Sequence, residues 1–206
     1  MSLKLTKYLV ELRKEANRLK RTDINNKVDD TFYAKYFKII IFLIICGISI
    51  IILNKGYNKE FLGYISSILS ILVGLFITAL IFSFDKFYDP IQEENPNSRT
   101  KLWDKQDYNY SKKFSYITAY TIVLSIFTLV MLVPNILFES FINLDLNSLT
   151  LQTKEISANS IKLFLKAFLI IIQRFIIAYW LLEILYNTLF IVSSMVQYMS
   201  TKIDRK

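Results

Sequence analysis

Residues 169–185 read LIIIQRFIIAYWLLEIL, an apolar run that nevertheless holds Gln173, Arg174 and Glu183. An ionised side chain left alone in lipid costs at least about 2.5–3.5 kcal/mol on insertion scales, so each charge demands a partner, a proton or water. At 100° per residue, Lys162, Lys166, Gln173, Asn187 and Ser194 fall in a sector roughly 80° wide, with Glu183 at its edge. Arg174 lies about 180° from Glu183, so the two cannot pair along one regular helix. Three kinds of chemistry remain open for this set. Arg174 can sit at the headgroups while Glu183 is protonated or hydrogen-bonded inside a bundle. The polar stripe can line an aqueous pore. Lys166, Gln173, Arg174, Glu183, Asn187 and Ser194 can instead form a subunit contact, with Glu183 of one copy facing Arg174 or a lysine of another.

Other chemistry is thinly represented. The chain has no histidine, which removes a His base and a His-ligated metal. Cys46 is the single cysteine and lies inside an apolar run, so no intrachain disulfide forms. Four glycines make no phosphate loop. Glu93, Glu94, Asp104 and Asp107 are interleaved with lysines and asparagines, the pattern of a solvated loop. No nucleophile stands with a base. The expectation is a protein that is not an enzyme and carries no cofactor or metal.

The elements that must position the ionic residues come from composition. The chain is 53% hydrophobic and 20% charged, and the two populations separate into long apolar runs and short charged intervals. That is the layout of a polytopic membrane protein. An all-α fold follows, with four transmembrane helices at about 36–54, 61–84, 114–138 and 161–199. Residues 1–35 form a basic helix and linker, 85–113 an inner loop, 139–160 an outer loop and 201–206 a tail. Segments 1–37, 85–113 and 197–206 hold 18 Lys and Arg against 3 in the two alternate segments. Basic residues stay cytoplasmic during insertion, so both termini are expected inside. The +8 net charge is thus a topology signal first, with anionic lipid as a partner and no nucleic-acid binding expected.

LKLTKYLVELRKEANRLK (3–20) places Leu5, Leu9, Leu12, Ala16 and Leu19 at helical spacing, with Lys4, Lys7, Arg13, Lys14 and Arg18 around them. It reads as a basic amphipathic helix that lies on the membrane, covers its own protein or docks a cytoplasmic protein. Trp103, in the inner loop, is a second docking candidate. The NKGYNKE connection is short, which makes the first two spans antiparallel neighbours. In the second span Ser66, Ser70, Gly74 and Thr78 align small residues for helix packing, within the chain or between subunits. Thr118, Thr121, Ser125 and Thr128 make a comparable stripe in the third, which Pro134 should kink or end. INLDL and LTLQT in the outer loop suggest a small hairpin. The fourth run is too long for one crossing, so it either protrudes or turns along the outer surface first.

In plan, the chain resembles the membrane subunits of bacterial anti-phage defence systems of the Kiwa type. The features that carry this are MSLKLTKYLVELRKEANRLK, the SxxxSxxxGxxxT span and the long polar-striped fourth helix. The resemblance implies a homo-oligomeric protein of the bacterial inner membrane that senses membrane disturbance and recruits a cytoplasmic protein partner. Its outer loop would be the sensing surface. The competing expectation is a homo-oligomeric pore that depolarises the membrane.

Overall fold

The structure is a computed structural model that describes residues 2–22, 28, 36, 38–52, 56–87, 98–137 and 158–203. Among these residues there are five helices: α1 (Ser2–Leu19), α2 (Lys38–Ile52), α3 (Lys59–Phe87), α4 (Ser98–Leu137) and α5 (Ala158–Ile203). Among the described residues the β structure amounts to one bridge between Thr22 and Val28. α3, α4 and α5 are long and apolar enough to cross a membrane. α2, at 15 residues, reaches about 22 Å and is shorter than the hydrocarbon layer. The all-α membrane class expected from the apolar runs is the observed one.

Seven-residue repeats hold the long helices together. α3 buries Leu62, Leu69, Phe76 and Ser83, and α5 buries Ile170, Ile177, Ile184 and Ile191. α4 buries Thr118, Thr121, Ser125, Thr128, Leu132 and Asn135, alternating three and four. This is the spacing of a left-handed helical seam, in which each residue enters a gap between residues of the facing helix. α4 lies at the centre, packed on α3, α5 and α1, while α2 packs on α5.

Several expectations change here. α2 and α3 are not packed side by side; one lies on α5 and the other on α4. In the described part of their connection Gly56 adopts φ 94° and Tyr57 beside it is buried. The Tyr57 hydroxyl donates to the Arg174 carbonyl of α5 at 2.9 Å. The 85–113 segment is largely helix: α3 continues to Phe87 and α4 already begins at Ser98. No glycine or proline falls between Ser98 and Val133, and α5 runs alongside to give the extension a partner, with Tyr110 edge-on to Tyr198 at 5.4 Å. Trp103 therefore stands half-buried on a helix.

α4 runs through Pro134 and ends at Leu137. Proline has no N–H for the carbonyl four residues back. The adjacent turn is reinforced by side chains, since Asn135 Nδ2 and Gln173 Nε2 donate to the Met131 carbonyl at 3.2 and 3.3 Å. The fourth run is one unbroken helix of 46 residues, about 69 Å long, with no turn along a surface. The hairpin expected at INLDL and LTLQT lies outside the described residues, as do Glu93 and Glu94.

Candidate functional site

The ionic centre forms where α1 ends against α4 and α5. Leu12 and Ala16 bring α1 onto the core formed with Ile117 and Tyr120 of α4, and Leu19 is buried one turn further on. The helix then closes in a turn: Lys20 N–H donates to the Ala16 carbonyl, and Thr22 gives both its N–H and its hydroxyl to Leu19. Lys113 Nζ of α4 donates to the Thr22 carbonyl at 2.7 Å while lying 4.8 Å from the Phe190 ring centroid. Fixed in this way, the turn directs Lys20 into the interior.

Glu183 and Asn187 are four residues apart, which puts both on one face of α5. Lys20 Nζ donates to Asn187 Oδ1 at 2.8 Å and sits 3.7 Å from Glu183 Oε1. The Lys20 and Glu183 side chains are only 5% and 4% exposed. Tyr120 and Tyr186 flank the ammonium, their ring centroids 5.3 and 5.9 Å away. The charge in α5 is thus met within the chain, from a segment far away in sequence. The inference that Glu183 needs a second subunit loses its basis. Removing one member of such a buried pair costs about 3–5 kcal/mol, because the other is left charged and dry.

The six residues of the polar stripe do not form one site. Glu183 and Asn187 join Lys20. Gln173 is bonded to α4 near Pro134. Arg174, 2% exposed, lies on the opposite side of α5 from Glu183, at the level where Tyr57 reaches its backbone. Both sides of α5 are covered because α2 and α4 flank it. Phe42 of α2 packs edge-on to Tyr179 and Tyr186 at 5.5 and 6.2 Å. Ser194 returns its hydroxyl to the Phe190 carbonyl, and Lys166 is half-buried near the start of α5.

The helix-packing stripe of α3 points outward. Ser70 donates to the Ser66 carbonyl and Thr78 to the Gly74 carbonyl, and a Cβ added at Gly74 would meet nothing within 4 Å. Packing inside the chain uses the leucine repeat instead. The proposed docking residues Lys4, Lys7, Arg13, Lys14 and Arg18 are all exposed. Arg18 pairs with Glu15 at 2.8 Å, and this hydrogen bond holds the Glu15 carboxyl below its usual range against a smaller opposing effect of burial. Among the described residues no three acidic or cysteine side chains converge as a metal site would require.

Lys20 is the functional residue that the sequence reading passed over. It lies four residues after Ala16 and so continues the buried row of α1, which was a usable signal. Tyr120, Tyr186 and Lys113 gave none, since only the crossing of α1 over α4 assigns them a role. Long apolar helices held by interior polar contacts define an α-helical membrane protein. Comparison with protein-family models, curated proteins and solved structures finds no match.

Proposed function

We propose that the chain is a sensor and scaffold of the bacterial inner membrane, with both termini cytoplasmic, that couples a disturbance of the membrane or its outer side to a cytoplasmic protein. The contact that carries this reading is Lys20 of α1 on Glu183 and Asn187 of α5. Any shift or rotation of α5 that separates these groups withdraws the partner of a buried lysine, so α1 must respond. The basic face of α1 and Trp103 on the α4 extension are then the surfaces that a cytoplasmic partner meets. The uneven distribution of Lys and Arg supports the orientation. The Kiwa-type resemblance supplies the stimulus, phage-associated membrane disturbance, and the context of anti-phage defence. Self-association uses the outward stripe of α3 and not Glu183.

The scaffold is preferred to a depolarising pore because a pore needs Gln173, Asn187 and Ser194 to face water along one axis. Here they are engaged with Met131, Lys20 and Phe190. The test is crosslinking capture of cytoplasmic proteins by the full chain in native membranes, beside ion flux in liposomes. Charge reversal at Lys4, Lys7 and Lys14 should abolish a specific captured protein without altering flux. Unchanged capture, together with an ion conductance that Asn187→Leu removes, would establish the pore instead.

A further inference from the structure

We infer that the first two turns of α1 dock on the anionic headgroup layer of the membrane at the α1 end of the bundle. The buried row of α1 runs through Leu12, Ala16 and Leu19. Leu5 and Tyr8 lie within about 40° of Leu12 on the helical wheel and continue that row. They have no cover from α4, however, and stand 64% and 67% exposed. An apolar row that is half buried by the protein and half open needs a second apolar surface.

The position of α1 supplies one. Its C-terminal turn is tied to Lys113, and no charged residue follows Lys113 on α4. The turn therefore sits where the charged part of α4 gives way to its membrane-spanning part. The helix that leads to it is about 27 Å long, so its start lies within reach of the same interface. The charges match the surface. Lys4 and Arg13 flank the open row on either side, and Lys7, Lys14 and Arg18 lie behind it, against Glu11 and Glu15. In an anionic leaflet the row enters the acyl boundary while the flanking cations meet headgroup phosphates. This binding does not depend on the scaffold role proposed above.

The test uses the full chain with Cys46→Ala, spin-labelled singly at Leu5→Cys, Tyr8→Cys or Val10→Cys, in nanodiscs of phosphatidylcholine alone or with roughly one third phosphatidylglycerol. In the anionic discs, labels at 5 and 8 should be accessible to oxygen and shielded from a water-soluble nickel chelate. The label at 10, on the opposite side of α1, should show the reverse. Neutral lipid should remove the shielding, and Lys4→Gln with Arg13→Gln should lower the docked fraction roughly fivefold per charge removed. Chelate access at 5 and 8 in both lipids would overturn the inference. Equal shielding in neutral discs would do the same. Spin–spin broadening that vanishes on dilution with unlabelled protein would give the row to a second copy.

Discussion

α3 and α4 each carry a stripe of small and hydroxyl-bearing residues, and the two have opposite fates. Thr118, Thr121, Ser125 and Thr128 of α4 are 0% exposed, whereas Ser70, Gly74 and Thr78 of α3 face away from the protein. Local bonding does not favour burial of the α4 stripe, since the buried Thr118 and Ser125 hydroxyls have no hydrogen-bond partner among the described residues. Thr121 and Thr128 return their hydroxyls to the carbonyls four residues back, as Ser70 and Thr78 do. Such back-bonding lets a hydroxyl sit in lipid or in protein at little cost. What separates the stripes is the number of neighbours and the spacing. α4 is enclosed by α1, α3 and α5, while α3 packs on α4. The α4 stripe alternates three and four and so stays in register with a facing seam, whereas a strict spacing of four drifts around the helix. Small residues allow close approach, but they do not determine which face is approached.

The sharpest way to press this contrast is through the interior polar groups that cannot satisfy themselves. Glu183→Leu leaves Lys20 buried without its counter-charge and should destabilise the folded chain by about 3–5 kcal/mol. Thermal unfolding in detergent measures this, and proteolysis at α1 should report its release. Adding Lys20→Met should restore most of the loss, because an apolar pair of similar size needs no compensation. If the double variant is as unstable as the single one, the ion pair is not what holds α1.

The next effect compares the stripes directly. Ser125→Leu overfills a packed seam and should cost about 1–3 kcal/mol. Gly74→Leu should change monomer stability by less than about 0.5 kcal/mol, since the site is open. Equal losses at both sites would show that the α3 stripe is covered in the purified protein. A change in oligomeric state for Gly74→Leu alone, read by light scattering, would identify a second copy as the cover.

The smallest effect belongs to the exposed pair on α1. Arg18 holds Glu15 ionised to lower pH than usual, so the folded state binds a proton less readily than the unfolded chain there. The stabilisation is present above the ordinary carboxylate range and is lost as pH falls through the lowered value. Glu15→Gln should flatten acid stability there by less than about 0.5 kcal/mol, as expected of a surface pair.

Much of the molecule is legible in its residues. The apolar runs of α3, α4 and α5 are long and, apart from Arg174 and Glu183 inside α5, carry their charges toward the ends, so helices follow from the need to satisfy the backbone in lipid. The interior hydroxyls of α4 were visible through spacing alone. The extension of α4 back to Ser98 was not, because LWDKQDYNYSKK is polar enough to pass for a loop until α5 is known to run beside it. The heptads of α3 and α5 lay within runs so uniformly apolar that the small residues stood out and the true seam did not.

The presence of helices, the charge asymmetry and the cost of Arg174 and Glu183 are properties of one chain read in order, because hydrogen bonding within a helix and transfer into lipid depend on neighbouring residues. Which charge neutralises Glu183 is a different kind of question. Lys20 is 163 positions away from it, and nothing short of the path of α1 over α4 could bring the two to 3.7 Å. Electrostatic attraction in a dry interior acts through space, so its partners are chosen by tertiary packing and not by sequence proximity.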